Sequence, residues 1–129
     1  MSGKVVHFEI PADDIDRARK FYKDTFGWRI EPMPEMNYTI LGTVEAGKNG
    51  MPKEPGAING GMMKRQKPFN APVITIAVEE IDTALETVEK LGGKVVHKKE
   101  PVGDMGFTAY FRDPEGNLMG LWQVAKKGL

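Results

Sequence analysis

The stretch that decides the fold is residues 5–30, VVHFEIPADDIDRARKFYKDTFGWRI, which has a counterpart in residues 71–96, APVITIAVEEIDTALETVEKLGGKVV. A gap-free shift of 66 positions superimposes strand on strand, acidic cap on acidic cap and Gly27 on Gly93. Each copy predicts a β-branched strand, a capped helix with apolar residues at helical spacing, and a glycine stop. General similarity between any two strand–helix units is the alternative, but the alignment of all these signals favours an internal duplication. Two copies indicate one pseudo-symmetric domain rather than a solenoid.

Three further strand-like segments follow each predicted helix, so each copy becomes a βαβββ module and the fold class is α+β. We place the modules at residues 4–64 and 71–125. The expected strands after the helices are residues 28–32, 37–45, 56–63, 94–98, 106–112 and 117–124. Pro11 is expected to end the first strand of the first module.

The composition of the 129 residues is that of an ordinary globular protein, with 40% hydrophobic and 28% charged residues. The formal net charge of zero gives no long-range attraction to nucleic acid or to an anionic membrane. The absence of cysteine excludes disulfides and sulfur-ligated metals. No signal peptide and no apolar run of about 20 residues is recognised, so a cytoplasmic protein is expected.

Alternation along the strands separates an apolar face from a mixed one. On the first strand Phe8 and Ile10 are expected to pack under a helix, and His7 and Glu9 to face a partly solvated cavity. In the second copy the corresponding residues are Ile74, Ile76 and Val78 on the apolar face, and Val73 and Thr75 on the mixed face. Pairing the repeats adds four residues to the cavity side: Gly60, Met62, Gly120 and Trp122.

With these patterns in place, the sequence resembles the vicinal oxygen chelate superfamily, which includes glyoxalase I, extradiol dioxygenases and bleomycin-resistance proteins, and it looks most like the lactoylglutathione lyase-related branch. The matching segments are His7-Phe-Glu-Ile-Pro-Ala-Asp-Asp, Phe21-Tyr22, Phe26-Gly27-Trp28, Ile58-Asn-Gly-Gly-Met and Asp113-Pro-Glu-Gly-Asn-Leu-Met-Gly-Leu-Trp. The resemblance implies paired βαβββ modules whose mixed sheets curl around a cavity, commonly in a homodimer.

The same resemblance implies where a metal would be held. Members with metal chemistry take one ligand from the first and one from the last strand of each module, and these positions carry over to His7, Gly60, Val73 and Gly120. Of the four, only His7 has a side chain that can bind a metal, whereas a catalytic site needs about three protein ligands. We therefore expect no metal and no other cofactor, although ligands contributed by a partner chain stay open.

Each candidate residue has a functional and a structural interpretation. His7 is a surviving metal ligand, an acid or base, or a hydrogen-bonding group for a bound molecule; alternatively it is a structural histidine held by Glu9, Thr75 or water. Glu9 either forms a carboxylate–imidazole pair with His7 or is a solvated strand carboxylate. Gly60 and Gly120 make space for a ligand or for close strand packing. Met62 and Trp122 line an apolar site or fill the core.

These observations predict a metal-independent protein that binds a small organic molecule, with His7 and Glu9 as its polar handle and as the candidate catalytic pair. The predicted ligand-binding residues are His7, Glu9, Gly60, Met62, Val73, Thr75, Gly120 and Trp122. The alternative is a lyase- or isomerase-type enzyme related to glyoxalase, which uses His7 and Glu9 for proton transfer or an unusual metal set. A scaffold or interaction role is the third possibility.

Overall fold

The computed structural model describes residues 3–48 and 50–125, which contain eight strands, two α-helices and one 3-10 turn. In chain order the elements are β1 (Val5–Ala12), α1 (Ile15–Phe26), β2 (Arg29–Met33), the 3-10 turn (Pro34–Met36), β3 (Tyr38–Gly42), β4 (Gly60–Lys64), β5 (Val73–Ala77), α2 (Ile81–Lys90), β6 (Lys94–Val102), β7 (Gly106–Arg112) and β8 (Leu118–Val124). The predicted α+β class and the βαβββ order in each half are confirmed. Neither helix, within the described residues, is long and apolar enough to cross a membrane.

The described chain divides into two compact units. The first unit is His7–Val73, and the second unit consists of residues 3–6 and 74–125. The opening residues of β1 therefore group with the second copy of the repeat. The module boundaries expected from the sequence, residues 4–64 and 71–125, stay a prediction.

In the first unit, β3 pairs antiparallel with both β2 and β4, and β4 pairs in parallel with β1. A parallel pair needs a crossover, and here that crossover contains α1, β2 and β3. The buried core consists of Ala12, Leu41 and Met62. The residues that pack against it are Phe8, Ile10, Ile15, Ala18, Tyr22, Trp28 and Ile30. The predicted apolar face of the first strand is thereby confirmed.

In the second unit, β5 pairs in parallel with β8, and β7 pairs antiparallel with β8 and β6. The buried core consists of Ile81 and Leu85 of α2, Ala109 of β7 and Leu121 of β8. Both units thus bury one helix face against one face of their strands. The same packing solution appears twice, as the repeat in the sequence predicts.

The two helices begin with different caps. The Asp14 side chain accepts a hydrogen bond from the Arg17 backbone N–H (3.0 Å), so α1 is capped by its own sequence. Glu80, at the corresponding position of α2, makes no side-chain cap. Instead the Ile81 N–H donates to Gln123 Oε1 of β8 (2.8 Å). The start of α2 is therefore satisfied by a tertiary contact.

Several local expectations are wrong. Pro11 does not end β1, which runs on to Ala12. The strand expected at residues 56–63 begins only at Gly60, because the Asn59 side chain binds the backbone N–H groups of Thr43 and Val44 and so closes a loop. Ile74 was expected to pack under a helix but is exposed. The apolar stripes of the two helices are also less buried than their spacing indicates, because Phe21, Phe26 and Leu91 are exposed.

Candidate functional site

Three polar side chains of the first unit form one hydrogen-bonded group, which we call the polar trio: His7, Glu9 and Tyr38. The Tyr38 hydroxyl donates to Glu9 Oε2 (2.8 Å), and the Tyr38 hydroxyl oxygen also lies 2.8 Å from His7 Nε2. Glu9 is 7% exposed, and the other two residues are half-buried. Since Phe8 and Ile10 pack on the core side of β1, alternation puts the trio on the opposite face.

Gly61 leaves the space that Tyr38 occupies. A Cβ atom at Gly61 would overlap the hydroxyl and the ring end of Tyr38. In the strand register Gly61 lies opposite Glu9 of β1 and opposite Ile40 of β3. The glycine therefore lets a tyrosine from β3 reach across β4 to a carboxylate on β1.

The electrostatics of the trio favour a neutral imidazole. Burial lowers the pKa of His7 below its ordinary value of 6.5, and the negative charge of Glu9 opposes that shift as the smaller effect. A lowered pKa means that His7 is uncharged at neutral pH. A neutral imidazole can accept a proton or a hydrogen bond through the ring nitrogen that carries no hydrogen.

Strand β5 carries different chemistry at the equivalent positions. The 66-residue shift places Val73 at the position of His7 and Thr75 at that of Glu9, and these side chains are 1% and 5% exposed. The sequence predicted a partly solvated face here, and that expectation is wrong, because both side chains are buried. The register supports the equivalence, because Thr75 lies opposite Gly120 as Glu9 lies opposite Gly61. A Cβ at Gly120 would lie 2.8 Å from Thr75 Oγ1.

Two of the predicted site residues are on the wrong face. A Cβ at Gly60 would lie 2.5 Å from the Phe8 carbonyl oxygen and would meet the Phe8 ring, so Gly60 faces the core side. Met62 is fully buried in the core with Ala12 and Leu41. The alignment of the two copies was one residue out of register here. Two adjacent glycines have no side-chain pattern that would reveal the shift, and Gly61 is the residue on the site face.

The remaining predicted residues lie in the second unit. Thr75 and Gly120 are brought together across the β5–β8 pair. Trp122 lies on the same face of β8 as Gly120 and is half-buried. A Cβ at Gly106 would lie 2.8 Å from the Trp122 ring, so this ring covers a glycine of β7. His7 and Glu9 are brought together in the first unit through Tyr38, as their shared face predicts.

Tyr38, Phe107 and Tyr110 are aromatic residues on the predicted middle strands, and the sequence does not show which of them reaches the cavity. The alternation of side chains along β3 indicates the orientation of Tyr38: Thr39 is buried, Leu41 is buried in the core, and Tyr38 and Ile40 lie on alternate positions. What the sequence does not contain is the distance between β3 and β1. That distance depends on β4 lying between them with a glycine at position 61.

A shallow groove of about 220 Å³ lies elsewhere, in the second unit. Its lining residues are Thr87, Val88, Leu91, Gly93, Phe111, Asp113 and Pro114. None of them belongs to the predicted site, and the lining is mainly apolar. The hydrogen-bonded chemistry of the trio makes the trio the stronger candidate for the functional site.

The donor set does not fit a divalent metal ion. With the register corrected, the four strand positions implied by the resemblance carry His7, Gly61, Val73 and Gly120. Only one of them has a donor side chain, as before the correction. Over residues 3–48 and 50–125, no three or more His, Cys, Asp or Glu side chains are grouped so as to hold a metal.

Comparisons with known proteins agree with this architecture. Residues 4–43 match the family model described as bleomycin resistance protein-like N-terminal. A glyoxylase-like domain-containing protein from Didymella fabae is 33% identical over 122 residues, which cover 91% of each chain. Lactoylglutathione lyase from Haemophilus influenzae is 32% identical over 119 residues, 88% of this chain and 87% of that protein.

Among solved structures, a methylmalonyl-CoA epimerase variant from Streptomyces coelicolor, in complex with 2-nitronate-propionyl-CoA, matches with a TM-score of 0.66. The match covers 98% of this chain and 100% of the epimerase chain at 18% sequence identity. At that identity the likeness concerns the fold.

Proposed function

The chain belongs to the vicinal oxygen chelate superfamily, and on that premise we propose that it binds a small organic molecule at the polar trio without a metal ion at the four strand positions. The observation that carries the proposal is the pair of 2.8 Å hydrogen bonds through which Tyr38 joins His7 and Glu9. A carboxylate and an imidazole on one buried strand face are a polar handle for a ligand.

The repeat supplies an internal control for this argument. Burying ionisable groups costs free energy that the fold must recover elsewhere. On β5 the equivalent positions hold Val73 and Thr75, and the strand pairs with β8 in the same register. Since the architecture forms there without ionisable groups, His7 and Glu9 are not required by the fold, and a functional reason for them is favoured.

A second candidate is an enzyme that transfers a proton through His7. It is favoured by the lowered pKa of His7, because a neutral imidazole next to a carboxylate can act as a general base at neutral pH. The named activities of the relatives, lactoylglutathione lyase among them, belong to those proteins. They guide which substrates to assay here.

The test is a fragment screen by thermal shift on metal-free protein, followed by calorimetry of the hits. We expect His7→Ala to weaken binding about tenfold, since one hydrogen bond to a ligand is worth about 1.4 kcal/mol. The matched control is His97→Ala, which removes the other, exposed histidine and leaves affinity unchanged. Binding that is equally tight in His7→Ala would overturn the proposal.

Two further measurements complete the test. Elemental mass spectrometry of tag-free protein that has met no metal column is expected to find no stoichiometric metal, and a persistent stoichiometric ion would contradict the metal-free part. The homodimer that the resemblance implies is also part of the proposal. Light scattering coupled to gel filtration checks it, and a monomer mass would contradict it.

A further inference from the structure

We propose that Tyr38 and Glu9 are positioning residues that fix His7 as the Nε2–H tautomer, so that His7 Nδ1 is the acceptor offered to a ligand bearing an O–H or N–H donor. The tautomer follows from the hydrogen bonds of the trio alone. The ligand class rests on the proposed function.

The tautomer follows from counting hydrogens. A tyrosine hydroxyl has one hydrogen to donate, and Tyr38 directs it to Glu9 Oε2 (2.8 Å). An ionised carboxylate accepts hydrogen bonds and donates none. The hydroxyl oxygen must therefore be the acceptor in its 2.8 Å contact with His7, and Nε2 must carry the hydrogen. In the neutral ring the lone pair is then on Nδ1.

Neighbouring residues hold this arrangement in place. Gly61 provides the space for the Tyr38 hydroxyl, and β3 and β1 are both paired to the strand that carries Gly61. Glu9 is 7% exposed, so its carboxylate is shielded from water that would compete for the tyrosine hydrogen. Tyr38 acts on the ligand only through His7, which makes it a positioning residue.

The ligand class follows from the charge and polarity of the strand face that carries the trio. The carboxylate of Glu9, on the same strand face, disfavours an anionic group because of like-charge repulsion. Ile40 lies on the same face as Tyr38 and is half-buried, so an apolar side chain shares this face with the polar trio. A neutral molecule with an apolar body and one hydrogen-bond donor fits these features.

The tautomer is measured by long-range proton–nitrogen correlation spectra of the ¹⁵N-labelled protein at a pH well above 6.5, where the imidazole of His7 is neutral. The chain has two histidines, and exposed His97 is the internal reference. We expect the Nε2–H pattern for His7. An Nδ1–H pattern would overturn the assignment, because it would mean that the tyrosine donates to the ring.

Tyr38→Phe tests the role of the tyrosine separately. Removing the hydroxyl should lower the population of the Nε2–H tautomer of His7, while the control Tyr22→Phe, a tyrosine that stacks on Trp28 in the same unit, should leave the pattern unchanged. An unaltered Nε2–H pattern in folded Tyr38→Phe would show that Tyr38 does not set the tautomer.

The ligand class is tested with phenol, anisole and benzoate, which share one ring. Phenol should shift the His7 Nδ1 resonance, and the other two should not, since anisole lacks the donor and benzoate is an anion. An equal shift with anisole overturns the donor preference. If screening hits without a donor still lose affinity in His7→Ala, the ligand class is wrong while the proposed function stands. If no hit depends on His7, the proposed function fails and the tautomer spectra stand alone.

Discussion

The two units share a scaffold and differ in the chemistry of one strand face. In the first unit Glu9 lies opposite Gly61 and bonds Tyr38; in the second, Thr75 lies opposite Gly120. One copy thus carries an ionisable, hydrogen-bonded group where the other carries a buried hydroxyl. The difference teaches that the two copies share the framework of strand pairing, while the polar trio lies in the first unit.

On the core side the two units are alike. Met62 lies opposite Ile10 in one register, and Leu121 lies opposite Ile76 in the other. Both side chains are buried among apolar neighbours. The equivalence of these two core positions can therefore be tested by matched substitutions, one in each unit.

The largest expected effect is loss of stability when these core residues are truncated. Met62→Ala and Leu121→Ala should each lower the free energy of unfolding by about 2–5 kcal/mol, because each removes buried surface and leaves a cavity. Urea unfolding followed by circular dichroism measures this. A loss of only about 0.5 kcal/mol in either variant, the size of a surface change, would show that the two positions are not equivalent.

The next effect comes from the paired glycines. Gly61→Ala should cost up to about 3 kcal/mol, because the new methyl group displaces the Tyr38 hydroxyl from the trio. Gly120→Ala should cost less, since its closest approach is 2.8 Å to Thr75 Oγ1. Urea unfolding ranks the pair, and the opposite ranking would contradict the account of how Tyr38 reaches β1.

The helix caps differ by a smaller amount. Gln123→Ala should cost about 2 kcal/mol, because it leaves the N–H of fully buried Ile81 without its acceptor. Asp14→Ala removes an exposed cap of α1 and should cost about 1 kcal/mol. Thermal unfolding of the two variants under identical conditions measures the difference. Equal losses of stability in the two variants would show that burial does not increase the energetic contribution of the α2 cap.

The smallest effect is the pH dependence that His7 adds. The pKa of His7 is lowered in the folded protein, so the unfolded chain binds the proton more readily. The contribution of His7 to stability is therefore fully present above pH 6.5 and is lost as the pH falls below that value. When the pH is lowered from above 6.5 to below it, the free energy of unfolding should decrease more steeply for the wild type than for His7→Gln. His97→Gln is the matched variant that removes the other histidine. Parallel slopes for all three proteins would contradict the lowered pKa.

Local rules were enough for much of this fold. An aspartate cap for α1, at Asp13 or Asp14, and the left-handed Gly27 that ends the helix were predictable, because both depend on neighbouring residues. The structure assigns the cap to Asp14. The shared face of His7 and Glu9 was predictable from strand alternation. Gly60 and Met62 were misplaced, because the register of β4 against β1 depends on a pairing between strands that are distant in sequence.

The sequence by itself determined the repeat and the order of the elements, since both are specified by residue types and spacing. The donor-poor set of strand positions came from the family resemblance, combined with the residue types at those positions. Only the tertiary structure decided that Tyr38 joins His7 to Glu9 and that Gly61 makes this contact possible. It also decided that Gln123 caps α2. The physical reason is that hydrogen bonds of about 3 Å depend on the relative positions of strands that no local pattern specifies.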